Sequence, residues 1–371
     1  MKIAINTRFL LPNKLEGLGW YTHEIVQRLV RLRPGDEFFF LFDRPFDPRF
    51  VYAPNVRPLV LFPPARHPVL WHAWFEWAVP RALRRIGADV FFSPDSFLSL
   101  SAKTRTVMTL HDIVPLHSPE QVPLAPRIFY QKFMPRYARR ADQIVAISEF
   151  VKQDIAQTIG IQPAKIQVVA NGCREGFAPI SEAEKQAVRR EFADGQAYFF
   201  YAGTVHPRKN LHRLIRAFDQ FKNRTGAPVK LLIGGRFLFQ TGEILEAWQT
   251  ARHRDDVRFL GYLPDAALQK LTAAALALAY VSLAEGFGLP LLEAMHSEVP
   301  IVTSNVSALP EVAGDAAILV NPLSENEISA ALERLFLDEK LRQNLVGRGR
   351  AQREKFSWDT AAASIAQMLT S

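Results

Sequence analysis

The chain has 371 residues, of which 48% are hydrophobic and 22% charged, with a formal net charge of +8. This composition is globular and long enough for two cores, which excludes a disordered chain. The lone Cys173 excludes an internal disulfide and a cysteine-held zinc, and no uncharged run of about 18 apolar residues marks a membrane span.

Only three apolar residues follow Met1-Lys2 before Asn6, too few for a signal sequence, so a cytoplasmic protein is expected. The basic excess is uneven. Residues 1–180 hold 23 Lys+Arg against 15 Asp+Glu, and residues 181–371 hold 22 of each. A basic first half favours an anionic partner, although a solvated basic face explains it equally well.

Lys2 to Asn6 reads as a short buried strand. A loop from Leu11 to Gly19 follows, then a helix with Tyr21, Ile25, Leu29 and Leu32 on one face. Strands are expected at 37–42, 88–93, 105–110, 143–148 and 166–170, with helices between them. The Pro- and Arg-rich stretch 43–68 reads as loop with a short strand at 56–61. Asn171-Gly172 and Pro179 suggest a boundary, and the plan then repeats. Strands are expected at 197–202, 229–233, 257–260, 277–280, 301–303 and 317–320, and helices at 210–223, 325–336 and 339–355. Alternating strands and helices argue for two α/β domains with open, mainly parallel sheets. The expected domains are 1–175 and 176–357, with their strand-end loops facing a central cleft. Trp358 to Leu369 reads as a last amphipathic helix.

The strongest chemical signal is Glu285-Gly286-Phe287-Gly288-Leu289-Pro290-Leu291-Leu292-Glu293. Its glycines allow a tight turn and close backbone approach to a ligand. Pro290 suits the first turn of a helix. The amides of Phe287 to Leu289 would then favour phosphate, while Glu285 and Glu293 suit sugar or ribose hydroxyls. The string resembles the E-x-F-G-x-P-x-x-E signature of retaining glycosyltransferases of family 4, which have the GT-B fold of two Rossmann-like domains. The resemblance runs over essentially the whole chain. It implies a nucleotide-sugar donor held by the second domain and an acceptor held by the first. It also assigns Glu285 to the donor sugar and Glu293 to the nucleotide ribose, and suggests that 358–371 packs back on the first domain.

Other segments fit the same family. Gly203 to Asn210 resembles its phosphate loop, in which Lys209 matches the phosphate-binding lysine. Arg208 is a second cation that could point elsewhere, and a surface basic pair is the alternative. His111, followed by Asp112 at a strand end, resembles the histidine that meets the donor sugar; a histidine satisfied within the core is the alternative. Gly17-Leu18-Gly19-Trp20-Tyr21 resembles a glycine loop near donor and acceptor, with Glu16 where the family has a glycine. Gly234 and the Tyr262-Leu263 pair resemble segments beside the nucleotide, and Glu311 is expected to be structural.

No ligand cluster for a metal is evident, and no cofactor beyond the donor substrate is expected. The resemblance points to bacterial mannosyltransferases of surface-polysaccharide assembly, hence to GDP-mannose, with a UDP-sugar as the alternative. The expected acceptor is a glycan or lipid-linked saccharide. Trp71, Trp74, Phe75 and Trp77 lie beside Arg81, Arg84 and Arg85, and a second basic run holds Lys132, Arg136, Arg139 and Arg140. Together they suggest an anionic membrane surface on the inner face as a further partner. A non-catalytic polysaccharide-binding protein is the rival reading, but it has no need of a phosphate loop. Nucleic acid is not expected, because no zinc-finger spacing or RNP motif is present.

Overall fold

The computed structural model describes residues 1–12, 15–238 and 241–371. Part of the expected loop from Leu11 to Gly19 therefore lies outside the described residues. The chain divides into two compact units, one of residues 1–171 with 357–371 and the other of residues 172–356.

The first unit holds a seven-stranded sheet: β1 (Lys2–Asn6), β2 (Glu37–Phe42), β3 (Val56–Val60), β4 (Val90–Ser93), β5 (Arg105–Leu110), β6 (Gln143–Ala146) and β7 (Ile166–Val168). Their order is β3-β2-β1-β4-β5-β6-β7, and every pairing is parallel. A parallel sheet is covered on both faces, so its strands read as continuous apolar runs, as Phe38, Phe40, Leu41 and Phe42 do. The order reverses between β1 and β4. Ligands of open α/β sheets gather beyond the carboxyl ends of strands at such a reversal.

Several expected boundaries shift for local reasons. β6 stops at Ala146 because Ser148 leaves the sheet to cap helix Glu149–Ile159, its Oγ accepting from the Val151 amide at 3.1 Å. Gly17 to Tyr21 is not a loop but the first turn of helix Gly17–Leu32. Gly19 is required there by close approach, because a Cβ would sit 2.8 Å from the Phe9 carbonyl oxygen. Helix Trp358–Thr370 packs on this helix. Trp358 meets Tyr21 edge-on at 5.9 Å, and Arg28 donates to Asp359 at 2.6 Å.

The second unit holds a six-stranded parallel sheet: β8 (Ala197–Ala202), β9 (Val229–Gly234), β10 (Val257–Gly261), β11 (Ala277–Tyr280), β12 (Ile301–Ser304) and β13 (Ala317–Val320). The order is β10-β9-β8-β11-β12-β13, which reverses between β8 and β11. Helix Leu211–Thr225 buries Leu211, Leu214, Ala217, Phe218 and Phe221 against it. Phe221 bridges to Phe336 of helix Glu325–Leu337 at 5.8 Å.

Candidate active site

The reversal in the second unit brings together the loops after β8 and β11. After β8 the chain makes a short turn at Pro207–Lys209, and Asn210 adopts a left-handed conformation at φ 60°. Asn210 is fully buried and donates from Nδ2 to the carbonyls of Val281 and Pro322 at 3.0 and 2.7 Å. These bonds compensate the backbone strain and fasten the basic loop to the end of β11. The Leu283 amide adds a bond to the Arg208 carbonyl at 2.9 Å.

Both cations of this loop converge on one carboxylate. Lys209 is 8% exposed and donates from Nζ to Glu285 Oε1 at 2.5 Å and to the Tyr280 hydroxyl at 2.8 Å. Arg208 does not point away: it donates to Glu285 Oε2 at 3.1 Å and to the Ala284 carbonyl. The Tyr280 hydroxyl completes the group, donating to Glu285 Oε1 at 2.9 Å. Burial would raise the Glu285 carboxyl, but Lys209 and Arg208 outweigh burial and its pKa falls to about 2. Glu285 is therefore a carboxylate at neutral pH, and the cluster of two cations and one anion keeps a net positive charge. Burial raises the Tyr280 hydroxyl pKa well above its ordinary value, so that hydroxyl stays protonated.

Glu285 is also held through its backbone. Its amide donates to Ser307 Oγ at 3.1 Å, and its carbonyl accepts from the Ala308 amide at 3.3 Å. Helix Leu289–His296 then begins with Pro290 in its first turn. Gly288 stands before it at φ 108°, where a Cβ would lie 2.7 Å from Leu309. Among the described residues, the amides of Phe287, Gly288 and Leu289 donate to no partner. They stand at the positive end of the helix dipole, where an anion is stabilised. Phe287 itself is buried against Phe356, so only its backbone can serve a ligand.

Glu293 lies one turn into this helix and is 4% exposed. Arg174, a residue the motif reading missed, donates to Glu293 Oε1 from Nε and Nη2 at 3.0 and 2.7 Å, and to Asp265 at 3.0 Å. Glu293 Oε2 accepts no hydrogen bond among the described residues and is left for a hydroxyl. The only sequence signal for Arg174 was a cation just after the Asn171-Gly172 break. Gly234 ends β9 and accepts from the Gly203 amide at 2.9 Å. Next to it, a Cβ on Gly235 would come within 1.7 Å of the Gly203 carbonyl oxygen. Tyr262 is exposed, and the Arg236 guanidinium lies 4.6 Å over its ring. Leu263 packs on Gly234.

His111, Gly17 and Gly19 belong to the first unit. His111 follows β5, with Nε2 2.9 Å from the Pro94 carbonyl oxygen and its ring edge-on to Tyr21 at 4.5 Å. Burial lowers the imidazole pKa, so the ring is neutral at pH 7. The carbonyl accepts the Nε2 proton, which leaves Nδ1 as an acceptor. Asp112 Oδ1 accepts from the Val114 amide at 3.1 Å, and among the described residues no hydrogen bond joins Asp112 to His111. Among the described residues, no group of three or more His, Cys, Asp or Glu could hold a metal ion.

A model described as glycosyl transferases group 1 matches residues 182–352, and one described as glycosyltransferase family 4 matches residues 15–175. An O-antigen chain mannosyltransferase B of Escherichia coli is 31% identical over 97% of both chains. This chain belongs to the glycosyl transferases group 1 family. The glycosyltransferase also resembles an O-antigen chain mannosyltransferase, RfbU, of Salmonella typhimurium, with 25% identity over 72% of this chain and 71% of that one. Among solved structures, sucrose-phosphate synthase from Thermosynechococcus elongatus superposes with TM-score 0.79 over 99% of this chain and 98% of that one, at 19% identity. Anabaena HepE in complex with UDP-glucose gives 0.78 over 100% and 99%, at 20% identity. These neighbours show the GT-B fold of this nucleotide-sugar-dependent enzyme.

Proposed function

We propose that the protein transfers mannose from GDP-mannose to a growing surface polysaccharide or its lipid-linked precursor, with retention of the anomeric configuration. The observation that carries this reading is the Lys209–Arg208–Glu285 cluster beside three undonated amides at the reversal of the second sheet. Its positive charge suits a pyrophosphate. The sugar identity is supported by the full-length likeness to the O-antigen chain mannosyltransferase.

In the proposed reaction the bond from the sugar C1 to the leaving phosphate oxygen breaks, and the acceptor oxygen bonds to C1 on the same face. The acceptor proton passes to the leaving phosphate. Lys209 and the Phe287–Leu289 amides stabilise the charge gathered on that phosphate. Glu285 receives donor-sugar hydroxyls, the second oxygen of Glu293 receives the ribose, and His111 offers Nδ1 to a sugar hydroxyl.

A panel of nucleotides and nucleotide-sugars tested by thermal shift and hydrolysis decides the donor. GDP and GDP-mannose are expected to stabilise the protein; stabilisation by UDP species alone overturns the mannose assignment. Proton NMR of the linkage formed reads retention directly.

The cytoplasmic membrane face is the proposed place of action. Val69, Leu124 and Ile128 are exposed on two helices that pack together through Trp71 and Phe129, and Trp77 is exposed nearby in sequence. Trp74 and Phe75 are core residues, and Arg139 and Arg140 are spent on the carbonyls of Ile159 and Ala102, which narrows the proposed surface. Co-sedimentation with anionic liposomes at low salt is the expected result, and its absence removes the membrane from the reading.

A further inference from the structure

The reversal of the first sheet, between β1 and β4, also holds a buried ion pair. Arg8 follows β1 and is 5% exposed; its Nε donates to Asp95 Oδ2 at 2.8 Å. Asp95 follows β4 and is already occupied. It also accepts from Asn6 Nδ2 at 2.9 Å, from Ser93 Oγ at 3.1 Å and from the Phe97 amide at 3.0 Å. Among the described residues, no hydrogen bond reaches either terminal nitrogen of Arg8. A guanidinium presents such N–H groups in a fork that fits a phosphate or carboxylate.

Those nitrogens belong to a side chain that lines a cavity of about 170 Å³. Arg44 and Arg66 line it too. Arg44 is paired with buried Asp43, whose Oδ2 also holds the Ala65 amide at 2.9 Å and so fixes the backbone next to Arg66. The Arg66 side chain is exposed and has no ion pair among the described residues. Three cations thus face the cavity, and only Asp43 and Asp95 balance them. The remaining wall is mainly aromatic, with Leu11 and Ala65 beside the rings. Trp71, Phe97 and Tyr130 pack at 5.4 to 6.3 Å, and the Arg8 guanidinium lies 4.0 Å over Phe97. Such walls cover the apolar C–H face of a sugar ring, while a few placed polar groups set orientation.

We propose that this cavity binds one sugar ring carrying an anionic group, phosphate or carboxylate, with the anion in the fork of Arg8 and against Arg66. Binding needs only the groups that line this cavity. That the bound sugar belongs to the acceptor rests on the transferase reading above.

Isothermal titration of the full chain with mannose 6-phosphate, glucuronic acid, mannose and inorganic phosphate tests it. The expected result is that at least one of the two anionic sugars binds at least tenfold more tightly than mannose and than inorganic phosphate. Arg66→Gln, at an exposed position that leaves the fold intact, is expected to weaken that binding about tenfold, the scale of one lost charge-assisted contact. Arg8→Lys keeps the charge beside Asp95 but removes the fork, and is expected to weaken binding more than Arg66→Gln does. Lys209→Ala is expected to leave it unchanged, which separates this site from the donor phosphate site. Binding abolished by Lys209→Ala but indifferent to Arg66→Gln overturns the proposal. So does an inorganic phosphate that binds as well as either anionic sugar, or a chain that binds neither. A failure here leaves GDP-mannose stabilisation intact, so it is distinguishable from failure of the donor reading.

Discussion

The two sheet reversals carry the same kind of device with opposite remainders. Each places a cation from the loop after the sheet's first strand against a carboxylate from the loop after its fourth, Arg8 with Asp95 and Lys209 with Glu285. In the second unit the carboxylate is the hub, and two cations and a tyrosine close on it. In the first unit the carboxylate is saturated by neutral donors and one Arg8 nitrogen, leaving most of the guanidinium unspent. A parallel sheet that reverses its order opens a gap between diverging loops, so both units offer a ligand position at the same topological place. The chemistry differs because one gap is lined by aromatic rings and the other by helix amides.

The largest effect expected is on turnover. Lys209→Ala should lower sugar transfer by about 10²–10³-fold, the scale of one lost donor to a developing oxyanion, while circular dichroism stays unchanged. Wild-type transfer by this variant would remove Lys209 from the donor phosphate site and leave the Lys209–Glu285 pair a purely structural one.

Arg174→Ala leaves Glu293 buried without its cation and should destabilise the second unit by about 3 kcal/mol in urea unfolding. An unchanged midpoint would show that Glu293 does not depend on Arg174.

Acid sharpens the comparison further. The Glu285 carboxyl is held at about 2 in the fold against an ordinary value of 4.5. Its contribution, on the order of 3 kcal/mol, is present above pH 4.5 and is lost as pH falls towards 2. Stability measured across that window should fall less steeply for Glu285→Gln, and identical slopes would contradict the assignment.

Ser307→Ala removes the acceptor of the Glu285 amide and should cost about 1 kcal/mol, with a several-fold loss of transfer. An effect on stability alone would limit Ser307 to holding the loop. The smallest effect concerns His111. Because burial holds its pKa down, the imidazole should stay neutral in the fold while the unfolded chain protonates, so its contribution to stability should decline as pH falls through the ordinary value of 6.5 towards the lowered one. An NMR titration of His111 near pH 6.5 would contradict this.

The sites were legible to different depths. Glu285 to Glu293 could be parsed because one short segment holds its turn, helix start and carboxylates in order. Arg174 could not, because nothing local ties it to Glu293, 119 residues away. The glycines at 17 and 19 misled for a related reason. Glycine signals a turn when backbone freedom is needed, but Gly19 is there because the Phe9 carbonyl passes too close for a side chain.

The sequence by itself determined the strand set, the two-unit α/β plan and the class of chemistry, because buried parallel strands and helix-start motifs are written in contiguous residues. Strand order and the pairing of charges across the two reversals were decided only in the tertiary structure. Parallel strands pair through crossovers, so residues tens of positions apart become neighbours, and no periodicity in the chain records which carboxylate meets which cation.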